Sequence, residues 1–103
     1  MELSGRALAG TILSVVPHEG TRKPAYILEI DFGPAGTKRS SAQLTNIYSP
    51  EELTGRQVVA LVDLEPKRIA GFVSECLVLG VQTDEGVVIL QPERAVGNGS
   101  EVF

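Results

Sequence analysis

The chain has 103 residues, 43% apolar and 21% charged, with a formal net charge of −4. That is one domain of ordinary globular composition, long enough for a single core. One cysteine excludes an intramolecular disulfide, one histidine with one cysteine excludes the usual four-ligand zinc site, and the acidic balance argues against a blanket nucleic-acid binder.

Ala7 to Val16 is moderately apolar, but only Arg6 precedes it, Glu2 opposes it and no small-residue cleavage pattern follows. It therefore reads as a first strand, Gly10 to Val16, ended by Pro17. No run approaches the ~18 apolar residues of a membrane span, so a cytoplasmic protein without membrane insertion is expected. Ala25 to Phe32 is the clearest strand, with Tyr26, Leu28, Ile30 and Phe32 on one side and Glu29 and Asp31 on the other. Gly33-Pro34-Ala35-Gly36 forces a turn, and Lys38 to Leu44 follows as a polar strand suited to a solvent- or ligand-facing position.

Ser49-Pro50-Glu51-Glu52 is a capping box with proline at the first helical position, and Gly55 stops the helix after little more than one turn. Val58 to Val62 and Cys76 to Leu79 read as buried strands flanking a basic loop, Pro66 to Phe72. Thr83-Asp84-Glu85-Gly86 turns the chain into Val87 to Leu90, and residues 92–103 form a polar tail ending in Val102-Phe103.

Three strands, a short helix and two strands is the order of an all-β, five-stranded Greek-key OB barrel, the helix lying between strands 3 and 4. Residues 1–103 form its single domain, with 92–103 as a C-terminal extension. Six of the nine basic residues occur as doublets: Arg22-Lys23, Lys38-Arg39 and Lys67-Arg68. In an OB fold all three map to the side where ligands bind.

The segments Ser40-Ser41-Ala42-Gln43-Leu44-Thr45 and Tyr48 to Val59 resemble the tRNA-binding OB domain, which occurs as a synthetase appendage and in free-standing proteins. Lys23-Pro24-Ala25-Tyr26, Ile30-Asp31-Phe32-Gly33, Arg68 to Glu75, and Gln91-Pro92 with Gly97-Asn98-Gly99 are similar to the CsaA type of that superfamily. The likeness covers nearly the whole chain. In place of the type's usual Asp-Ile-Arg-x-Gly the chain has Arg6-Ala7-Leu8-Ala9-Gly10, so only the glycine is kept.

The resemblance implies a homodimer and two functional classes. One is an export-related chaperone holding unfolded precursor segments at Ile69 and Phe72. The other is tRNA binding through Arg22, Lys23, Lys38, Arg39, Ser40, Ser41, Asn46, Lys67 and Arg68, by phosphate and shape contacts. Asp63 and Glu65 beside Lys67-Arg68 weaken phosphate attraction, and aromatic side chains for base stacking are few. Val96, Val102 and Phe103, apolar in a polar tail, are the expected dimer contacts. No cofactor, metal or catalytic activity is expected, because His18 reads as a solvated loop residue and neither Ser40 nor Ser41 has an evident activating partner.

Overall fold

The computed structural model describes residues 5–103. In chain order its elements are β1 (Ala7–Pro17), β2 (Tyr26–Asp31), β3 (Thr37–Ala42), α1 (Pro50–Leu53), β4 (Gln57–Leu61), β5 (Lys67–Ile69), β6 (Phe72–Ser74), β7 (Leu77–Val78), β8 (Gly80–Thr83) and β9 (Gly86–Ile89). The main sheet is antiparallel with the order β3-β2-β1-β4-β7, while β5-β6 and β8-β9 are separate hairpins.

Its edge strand β3 curls round to residues 74–76 and nearly closes the barrel. The Glu75 N–H donates to the Arg39 carbonyl at 2.8 Å. The Arg39 and Ser41 N–H groups donate to the Glu75 carboxylate at 2.9 Å and to the Ser74 hydroxyl at 3.1 Å. A strand edge left open would expose these groups to pairing with another chain; here the Ser74 and Glu75 side chains and the Glu75 N–H satisfy them. The architecture is an OB-type barrel with one short helix.

The core follows from period-two alternation. Tyr26, Leu28 and Ile30 of β2 turn inward with Phe32, and they meet Leu8, Ile12, Val58 and Leu53. Each fully buried side chain of this size contributes roughly 1.5–3 kcal/mol. Gly10 makes room for this layer: a Cβ there would lie 2.7 Å from both Ile30 and Phe32. The capping box forms, with the Ser49 hydroxyl accepting from the Glu52 N–H and the Glu52 carboxylate accepting from the Ser49 N–H. That bond from Ser49 also holds the Glu52 carboxyl below its ordinary range. The helix thus needs no length; its caps and the buried Leu53 hold it.

Four expectations change. The Pro66-to-Phe72 segment is not a plain loop but the β5-β6 hairpin, turned by Ala70 and Gly71, both at positive φ (47° and 79°). Two consecutive positive φ values make the turn that matches strand twist, which explains why so few residues suffice. The strand expected at Cys76 to Leu79 is only Leu77–Val78. The first strand starts earlier, at Ala7, because residues 7–11 pair with β4 and the tail covers the other edge. Ala9 accepts from Gly99 and donates to Ser100, at 2.8 and 2.9 Å, and Val102 donates to Ala7 at 2.8 Å. Finally, β3 is not uniformly solvent-facing: Ser40 is fully buried.

Candidate functional site

The β1-β2 connection carries Arg22 and Lys23, and its shape is fixed by His18. This residue is 7% exposed, so it is a core histidine rather than a solvated one. Its Nδ1 bonds the Ser41 hydroxyl at 2.8 Å, and its ring meets Phe72 edge-on at 5.3 Å. The Thr21 hydroxyl donates to the Lys23 carbonyl at 2.6 Å, and the His18 N–H donates to the Ala25 carbonyl at 2.9 Å. Those bonds close the connection on itself and leave both cationic side chains exposed.

The hairpin tip leans on the same connection. Directly opposed residues on antiparallel strands share a face, so Lys67 and Ile69 lie on the side of Ser74 and Phe72, toward β3, while Arg68 lies on the reverse side. Between β3, the hairpin and the β1-β2 connection two adjoining hollows open. One, of about 530 Å³, is lined by Arg22, Lys23, Ala25, Gln43, Ser41 and Ile69. The other, of about 400 Å³, is lined by Lys67, Glu65, Glu75, Leu64, Leu77 and again Ser41 and Ile69. Half-buried Ile69 is the ridge between them.

Arg22, Lys23, Ser41, Lys67 and Ile69 are therefore brought together. The others are not. Lys38 and Arg39 point to opposite faces of β3, as consecutive strand residues must. The Arg39 guanidinium lies 4.7 Å over the Phe72 ring, and Lys38 helps hold the Asp63 carboxyl low, after the larger effect of the hydrogen bond from Arg6. Ser40 is fully buried, its hydroxyl donating to the Cys76 carbonyl at 2.9 Å, so an outside ligand does not reach it. Asn46 is exposed but sits against Gly86 at the β8-β9 turn. Phe72, expected as a peptide contact, is 8% exposed and anchors the hairpin under Arg39 and His18. Val96, Val102 and Phe103 are exposed and line neither hollow.

Leu64 and Glu75 belong to the site without any signal in the sequence, since only barrel closure carries them to β3, whereas Glu65 enters as the neighbour of Lys67 and Gln43 as the residue after β3. His18 gave the wrong signal: its partners Ser41 and Phe72 are 23 and 54 positions away. The ion pairs among the described residues are Arg6–Asp63 and Arg94–Glu93, so Arg22, Lys23 and Lys67 pair with none of those residues. Of the five aromatic side chains, Tyr26, Phe32, Tyr48 and Phe72 are buried, and only Phe103 is exposed. Burial pushes the Cys76 thiol up to about 11, so at neutral pH it is protonated and unreactive. Among the described residues no group of three or more His, Cys, Asp and Glu side chains could hold a metal, and no helix is long and apolar enough to cross a membrane.

A small antiparallel barrel with an exposed, partly cationic furrow beside its β3 edge defines a binding module of the OB class. Residues 8–101 match the family described as "Putative tRNA binding domain". The fold superimposes on the crystal structure of chaperone CsaA from Bacillus anthracis with a TM-score of 0.89 at 47% identity, covering 95% of this chain and 90% of that one. The CsaA chaperone protein from Picrophilus torridus gives 0.91 at 40% identity, covering 97% and 92%. The methionine–tRNA ligase of Pyrococcus abyssi is 34% identical over 93 residues, which are 90% of this chain and 13% of the ligase. The chain thus spans about an eighth of that relative's length. It belongs to the tRNA-binding domain family, as a CsaA-type member.

Proposed function

We propose that the protein is a homodimeric, chaperone-type binder that holds unfolded segments of export precursors in the cytoplasm. The observation that carries this reading is the furrow itself. It presents apolar surface from Ala25 through Ile69 to Leu64 and Leu77, edged by charged side chains, and it contains no exposed aromatic ring on which a base could stack. An extended polypeptide uses such a surface through apolar side chains and flanking charge, whereas single-stranded RNA binders of this fold draw much of their affinity from stacking. The likeness at 47% and 40% identity to two structures titled as CsaA chaperones points the same way.

A homodimer fits the exposed apolar side chains. Val81 and Val88 face each other across the β8-β9 hairpin, and with Leu90, Val96, Val102 and Phe103 they leave apolar surface uncovered on one copy. Sedimentation at micromolar concentration should give the dimer, and a monomer would remove that part of the proposal.

The second reading is tRNA binding. It is favoured by the exposed Arg22 and Lys23 and by the family match. A salt titration separates the two, because neutralising phosphates releases counterions and makes affinity fall steeply with salt. The chaperone reading expects an unfolded export precursor to bind with a shallow salt slope and to lose affinity on Ile69→Ser. Steeply salt-dependent tRNA binding, lost on Arg22→Ala with Lys23→Ala and accompanied by no precursor binding, would replace it.

A further inference from the structure

The two hollows share Ser41 and Ile69, and the sign of the charge changes across that ridge. On the near side the lining holds Arg22 and Lys23 and no carboxylate. On the far side it holds Glu65 and Glu75 against the single cation Lys67. Apolar surface continues through both, from Ala25 to Leu64 and Leu77. A polyanion laid along the furrow would meet attraction at one end and repulsion at the other. A polycation would meet the reverse.

We propose that the furrow selects extended polypeptide segments by charge order: an acidic side chain beside Arg22 and Lys23, an apolar one at Ile69, and a basic one beside Glu65. This rests on the peptide-holding function proposed above and specifies the ligand of that same site. In an extended segment, side chains i, i+2 and i+4 face the same way. The recognised pattern is therefore acidic-x-apolar-x-basic, or its reverse if the segment runs in the opposite direction. Glu75 is partly engaged, since its carboxylate accepts from the Arg39 N–H at 2.9 Å. Exposed Glu65 makes no such bond among the described residues and is the discriminating carboxylate.

The test uses short fluorescent peptides that differ only at these positions: Asp-x-Leu-x-Lys, Lys-x-Leu-x-Asp, Asp-x-Leu-x-Asp and Lys-x-Leu-x-Lys. Fluorescence anisotropy should show at least one mixed-charge peptide binding about fivefold tighter than either like-charged peptide, the scale expected of two partly exposed ion pairs. Glu65→Lys should move the preference to the all-acidic peptide, and Arg22→Glu with Lys23→Glu to the all-basic one. Unchanged melting temperatures would show that both variants stay folded. Equal binding of all four peptides, or an unchanged ranking in Glu65→Lys, overturns the charge-order proposal and leaves peptide holding intact. If no peptide binds while an oligoribonucleotide does, both fail together.

Discussion

Two regions of this small barrel have loops folded over a strand, and they use their polar groups in opposite ways. In the tail, Asn98 is engaged through both ends of its side-chain amide: the carbonyl oxygen accepts from Thr11 and Gln57 at 2.8 and 3.0 Å, and the amide nitrogen donates to Asp31. Gln57 also clasps the Val96 backbone, donating to its carbonyl and accepting from its N–H. Beside β3, by contrast, Thr21 and His18 brace the loop while the Arg22 and Lys23 side chains themselves stand exposed over a hollow. The tail motif, Gly97-Asn98-Gly99, has the composition of a ligand loop but acts as a lock. Ligand chemistry belongs where charge is unpaired among the described residues.

The largest effect expected from breaking this contrast is at the lock. Gly33 has φ 61°, and a Cβ there would overlap the Asn98 carbonyl oxygen. Gly33→Val should cost about 3 kcal/mol or more in urea unfolding, through backbone strain and release of the tail. Asn98→Ala should cost about 1–3 kcal/mol, since it strands the Thr11 and Asp31 groups, and should leave peptide affinity in the folded protein unchanged. At the furrow the pattern reverses. Arg22→Ala with Lys23→Ala should weaken binding up to about tenfold by calorimetry while the melting temperature stays put.

The smallest effect is absent at neutral pH. Because burial raises the Cys76 thiol to about 11, the folded state keeps a proton that the unfolded chain gives up first. Stability is then fully present below the ordinary thiol range and falls as pH rises toward 11, the direction linkage requires for a raised pKa. Cys76→Ala should flatten that slope in denaturation curves taken between about pH 9 and 11.

The sequence carried the barrel and the helix well, because alternation in β2 and the Ser49–Glu52 box are local signals. It also carried the three doublets, but not how strand geometry would split two of them. Lys38 and Arg39 diverge because they are consecutive on β3, and Lys67 and Arg68 because their segment is a strand rather than a loop. Of the two side chains expected to contact peptide, Ile69 lines the furrow and Phe72 does not, for a similar reason. Phe72 faces His18, a partner 54 positions away that no spacing rule could supply, so the larger side chain became the anchor and the smaller one the surface.

The claim that the furrow beside Ile69 holds polypeptide is tested most directly by the affinity of Ile69→Ser for an unfolded precursor segment, measured next to its melting temperature. An affinity loss of about tenfold is expected, the worth of one apolar side chain leaving a contact, with little change in melting temperature. Undiminished affinity in a folded Ile69→Ser variant would contradict it.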